Sequence, residues 1–132
     1  MVFFYHDRMS GRRSDREAAE GNWSFLREVV HRLASPAHEQ LQWIGSMCID
    51  ELVLDFDAVY PASWQSREAG WISEELAALL SAIDQKLIDL TEQGPSAWTE
   101  EALHSHPGWE ELRGLAHRTL ALMSTQPWSI PS

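Results

Sequence analysis

With 132 residues and 44% apolar side chains, the chain is long enough for one domain around a single core and too apolar for global disorder. Its 20 acids outnumber its 10 lysines and arginines, and the resulting net charge of −10 argues against nucleic acid or anionic membrane as partners and for cationic ones. The single cysteine, Cys48, rules out an internal disulfide and a cysteine-rich zinc site, and no apolar run approaches the ~20 residues that span a bilayer.

Residues 2–5 (Val-Phe-Phe-Tyr) are too short for a signal-peptide core, so they read as a short strand or an apolar arm, with residues 11–13 as a loop. Ser14-Asp15-Arg16-Glu17 has the capping-box pattern, in which hydroxyl and carboxylate satisfy opposite orphan donors of a helix start. Trp23, Leu26, Val30 and Leu33 then form one helical face, closed by His31 and Arg32 in the last turn, where the dipole favours cations. Gly21 is a poor helix former, so Asn22 is the rival cap for a helix beginning at Trp23.

Ser35-Pro36 is a second start signal: a capping hydroxyl followed by proline at the first helical position. Ala37, Leu41, Ile44, Cys48 and Leu52 follow at helical spacing, and apolar residues from Met47 to Val59 lie on every side, as in a central helix. Alternation over Leu52–Tyr60 offers a strand instead, but no second strand exists to pair with it, and the reading is one helix to Tyr60, ended by Pro61. A connection over residues 61–70 carries Trp64. Ile72, Leu76, Leu79, Leu80, Ile83, Leu87 and Leu90 fall within about 100° of a helical wheel, and Gly94-Pro95 stops that helix. Thr99 starts a short helix through Leu103, and Pro107 opens the last one, with Trp109, Leu112, Ala116, Leu120 and Met123 as its stripe. The sum is an all-α single domain, a bundle of four main helices and one short one with mostly antiparallel neighbours, a 1–13 arm and a 124–132 tail.

No strong catalytic motif stands out. Glu28 with His31 and Glu101 with His104 have the Glu-x-x-His spacing of di-metal bundles, but Glu28 projects opposite the Trp23–Leu33 stripe and so faces water. His104 and His106 flank Ser105 before Pro107, where imidazoles cap or solvate a helix junction unless a third ligand from Glu100 or Glu101 joins them. Cys48 on the apolar seam is expected to be inert, and no metal or other cofactor is predicted.

The charge is lopsided: residues 1–32 hold six arginines against five acids, and residues 33–132 hold four basic residues against fifteen. In the second helix Asp55 shares a side with Leu41, Ile44 and Cys48, so it must pair, with Arg27, Arg113 or a histidine, or else line an acidic cleft with Asp57. Asp50, Asp55 and Asp57, with Glu74 and Glu75 across the connection and Trp64 as an aromatic anchor, form the first candidate partner surface. Glu100, Glu101, Glu110 and Glu111 around Trp98 and Trp109 form the second. Arginine outnumbers lysine nine to one, which points to a G- and C-rich bacterial genome, and the lone thiol points to the cytoplasm.

The segment Trp98-Thr99-Glu100-Glu101-Ala102-Leu103-His104-Ser105-His106-Pro107-Gly108-Trp109-Glu110-Glu111-Leu112-Arg113 resembles the C-terminal part of small bacterial immunity proteins that accompany polymorphic or contact-dependent toxins. The resemblance covers little more than this segment. It implies a cytoplasmic, non-enzymatic protein that binds and blocks one toxin, and it transfers no binding residue. Charge and aromatic content point the same way, toward an acidic inhibitor of a basic toxin. The rival expectations are a helical-bundle metal protein or enzyme using His104, His106 and nearby glutamates, and a subunit of a larger oligomeric assembly.

Overall fold

Every regular element of residues 11–125, the part described by the computed structural model, is helical. The helices are α1 (Gly11–Ala34), α2 (Ala37–Ile44), α3 (Glu51–Val59), α4 (Trp64–Glu68), α5 (Glu74–Glu92), α6 (Glu100–Ser105) and α7 (Pro107–Ser124), with 3-10 turns at Pro61–Ser63 and Pro95–Ala97. The apolar run of residues 2–5 and the tail from residue 126 lie outside the described residues.

Neither predicted start of the first helix holds, because α1 already begins at Gly11 and runs on through Gly21. Trp23, Leu26, Val30 and Leu33 are buried as the periodicity requires. Asn22, expected as a cap, is instead buried in mid-helix. Its Nδ2 donates to the Val59 carbonyl at 3.4 Å and its Oδ1 accepts from Ser66 Oγ at 2.7 Å. These tertiary partners satisfy the amide, which removes the usual reason for asparagine to sit at a helix end. Ser35 also departs from its expected role. Its hydroxyl turns back to the His31 carbonyl at 3.0 Å and closes α1 rather than capping α2.

The predicted helix from Ser35-Pro36 to Tyr60 is two helices. Gly45, at φ 63°, takes a left-handed conformation that ends α2. Cys48 and Met47 therefore lie exposed in the connection, not on an apolar seam. Residues Leu52 to Val59 are helical in α3, with Leu52, Val53, Phe56 and Val59 buried, so the strand reading fails.

The expected connection over residues 61–70 instead holds the 3-10 turn Pro61–Ser63 and the short helix α4, and the helix boundaries after it follow the sequence closely. Ser73 Oγ accepts from the Leu76 amide at 3.1 Å and starts α5, leaving Ile72 just ahead of the helix. Thr99 caps α6 through the Ala102 amide at 3.0 Å. His106 caps α7, its Nδ1 accepting from the Gly108 amide at 2.9 Å. At Gly108 an added Cβ would lie 2.8 Å from a Leu90 methyl, so glycine lets the start of α7 press directly on α5.

Packing runs in sequence around the core: α3 on α1, α1 on α7, and α7 on α5. Gln40 of α2 locks the end of α1, donating to the carbonyls of Arg32 and Leu33 at 3.2 and 3.1 Å. Its Oε1 accepts from Arg113 Nε at 3.2 Å, and Arg113 also donates to the Leu103 carbonyl. The side between α3 and α5 is left open.

Leu112 is fully buried, and Leu112→Ala should cost ~2–5 kcal/mol in chemical denaturation. Leu79, placed on the predicted core stripe, is only half-buried, and Leu79→Ala should cost clearly less. Asn22→Ala leaves the Val59 carbonyl without its side-chain partner and the Ser66 hydroxyl with only the Ala19 carbonyl at 3.2 Å, and should cost about 1–2 kcal/mol.

Candidate functional site

The open side of the bundle is a groove. Its α3 wall presents Asp50, Val53, Leu54 and Asp57, residues spaced three, four and seven apart and hence on one helical face. Its α5 wall presents Asp84, Leu87, Ile88, Thr91 and Glu92 by the same periodicity. Two adjoining hollows, about 530 and 350 Å³, share Val53, Asp57, Thr91 and Trp98. Asp57 lies beside Asp84, while Asp50 lies by Gly94 and Pro95 just past the end of α5, so the walls run antiparallel.

Trp98 forms the floor. Its indole nitrogen donates to the Leu90 carbonyl at 3.2 Å, and its ring meets Trp109 edge to face at 5.3 Å. Trp109 is fully buried and donates to the Ala97 carbonyl at 2.7 Å. Val53 and Leu87 are buried beside this floor, whereas Leu54 (50% exposed) and Ile88 (43% exposed) stand on the rim. Two large aliphatic side chains left this open are an unused apolar surface.

The charge of the groove has one sign. Asp50, Asp57, Asp84 and Glu92 line it, and no Lys, Arg or His does so among the described residues. Among the described residues, none of the four carboxylates caps a helix or joins an ion pair; Asp50 precedes α3 without a side-chain bond to it. Asp57 has its pKa raised, first by partial desolvation and second by the neighbouring Asp84 charge.

Of the first predicted surface, the groove thus takes Asp50 and Asp57. Asp55 faces away from it and is paired, as one of the two readings required, but with Arg32 at 2.9 Å rather than with Arg27, Arg113 or a histidine. The same guanidinium lies 3.6 Å from Glu28 and 3.8 Å above the Trp43 ring. Trp64 is exposed on α4, outside the groove. Glu74 and Glu75 are exposed in the first turn of α5, about 15 Å along its axis from Asp84.

The second predicted surface is likewise divided. Trp98 belongs to the groove, and Trp109 is core. Glu100 and Glu101 are exposed on α6 and Glu110 on α7, while Glu111 pairs with Lys86. Both nitrogens of His106 are engaged, with the Gly108 amide and with Gln93 Oε1 at 2.6 Å, so a metal would have to break the cap of α7. No three of His, Cys, Asp or Glu come together as a metal site among the described residues.

Leu54, Asp84, Ile88 and Glu92 are site residues that the core-stripe analysis passes over. Their signal is present in the sequence: Ile88 lies off the buried arc of α5 and is flanked at four residues on either side by carboxylates.

No family model, curated protein or solved structure matches the chain. No helix of the described residues is long and apolar enough to cross a membrane.

Because the native state holds a proton on Asp57 more readily than the unfolded chain does, this group lowers stability as pH rises through the window just above its ordinary value of 3.8. Asp57→Asn removes the repulsion. At neutral pH the variant should be as stable as the parent or more so, within about 0.5 kcal/mol, and the difference should vanish below pH 3.8. Thermal melts across pH 3 to 8 check the sign.

Proposed function

We propose that the chain is a non-catalytic inhibitor that binds a basic protein through the α3–α5 groove, in the manner of a bacterial immunity protein neutralising its cognate toxin. One observation carries the reading: four unpaired carboxylates surround an apolar, aromatic-floored groove that no cation of the described residues enters. Partial burial and the Asp84 charge disfavour the ionised form of Asp57, and a cationic partner offsets that cost on binding. The apolar floor supplies the area, and the acids supply steering and selection. The resemblance of residues 98–113 to immunity proteins supports the same reading, since that segment supplies Trp98 and the buried Trp109 beneath it. A cytoplasmic site of action in a bacterium goes with this proposal.

The test begins with the neighbouring gene. A large toxin-like reading frame next to this one should encode the partner, and co-expression should rescue growth of a host expressing the toxin. Asp50→Asn, Asp57→Asn and Asp84→Asn combined should lower the association rate roughly tenfold at low salt, flatten its salt dependence and change dissociation less. Absence of rescue, or a purified chain that removes the toxin's effect by chemistry on a small molecule, defeats the proposal.

A further inference from the structure

We infer that the groove receives an α-helix of the partner protein, one that carries basic residues at positions i and i+7 and apolar residues at i+3 and i+4 between them. The inference rests on the protein-binding reading above and specifies the element that is bound.

Spacing carries the argument. Asp50, the helical residue just before α3, and Asp57 within it are seven residues apart, about 10.5 Å along the axis, and Asp84 and Glu92 are eight apart on α5, about 12 Å. With the walls antiparallel, Asp57 and Asp84 mark one end of the groove. Asp50 and Glu92 lie toward the other. Apolar surface from Val53, Leu54, Leu87, Ile88 and Trp98 fills the interval. Two turns of helix rise about 10.8 Å, so a helix laid along the groove brings residues i and i+7 to the two acidic ends and residues i+3 and i+4 over the apolar middle. An extended segment does not match. Side chains on one face of a strand recur about every 6.6 Å, so they fall at about 6.6 and 13 Å and miss the Asp50–Asp57 spacing of about 10.5 Å, which two helical turns meet. The described residues also offer no strand edge for such a segment to join.

Charge decides between a foreign helix and a second copy of this chain. Self-association through this face would bring four unpaired carboxylates against four more on a protein of net charge −10. A basic helix meets them with opposite sign. The hollows hold the side chains of one helical face, with the occupant's backbone riding above the rim set by Leu54 and Ile88, as ridges of one helix sit between two others.

The experiment titrates the full isotope-labelled chain with two synthetic peptides of identical composition and charge. One is an alanine-based helix with arginine at i and i+7 and leucine at i+3 and i+4. The other permutes the same residues. The ordered peptide should bind roughly tenfold tighter than the permuted one and perturb amides confined to residues 50–57 and 84–98. Asp57→Lys with Asp84→Lys should abolish that binding, and a peptide with glutamate replacing the arginine at that end should restore it. Both positions reach the surface, and circular dichroism checks that the double variant stays helical. Equal binding of the two peptides, perturbation centred elsewhere, no binding at millimolar peptide, or failure of the charge swap to rescue each overturns the inference. If growth rescue by the chain survives the double lysine variant, inhibition stands while the groove is not its contact. If rescue is absent but the ordered peptide binds as described, the groove stands and the toxin reading falls.

Discussion

The edge-to-face contact of Trp98 on Trp109 ties the architecture together. It joins the turn after α5 to the first turn of α7, and both indole nitrogens are spent on backbone carbonyls of the same corner, Leu90 and Ala97. Two large rings in such a contact contribute beyond the area they bury, and their hydrogen bonds leave no polar group stranded. Gly108 completes the corner by admitting the Leu90 methyl where any side chain would collide. Because this corner fixes the end of α5, it also fixes the α5 wall of the groove, and the outer face of Trp98 becomes its floor. One face of the indole is a structural joint and the other lines the groove.

A second set of contacts holds the opposite wall. α3 is only nine residues long and would not be stable alone. It is held by Leu52 and Phe56 in the core, by the stacking of Phe56 on Tyr60 at 5.2 Å, and by the Asn22–Val59 hydrogen bond from α1. Arg32 adds a tie on the far face through Asp55, with its guanidinium stacked on Trp43. Both walls thus receive their support from behind. The groove between them can carry unpaired charge because its position does not depend on contacts across it.

Much of this was legible in the sequence wherever a signal was local or periodic. The α5 and α7 stripes, the Thr99 cap and the stop at Gly94-Pro95 depend on residues within a few positions of each other. The failures come from interactions between distant residues. Asn22 looks like a cap because its partners, Val59 and Ser66, are 37 and 44 residues away. Arg27, Arg113 or a histidine was the partner expected for Asp55, and packing brings Arg32 to it instead. Gly45 is a different case. Its left-handed backbone was foreseeable from residue type, but the continuous apolar pattern on either side masked the break and misplaced Cys48. The groove residues Ile88, Asp84 and Glu92 carry a weaker signal, because they lie just outside the most regular apolar arc of α5.

Asp55 and Asp57 show how one short helix divides its labour. Two positions on a helix differ by about 200° of rotation, so carboxylates separated by a single residue point to opposite sides. The inward-turning side of α3 finds Arg32 and becomes structural. The outward side finds Asp84, another acid, and gains nothing in the isolated protein. Partial burial first, and the neighbouring Asp84 charge second, raise the proton affinity of Asp57 there. The groove side of α3 is thus left with an acid for which the described residues supply no cation. The same geometry keeps the two roles separable. Charge can be altered at positions 57 and 84 without touching the Arg32 tie at position 55, so the charge of the groove is separable from the fold that supports it.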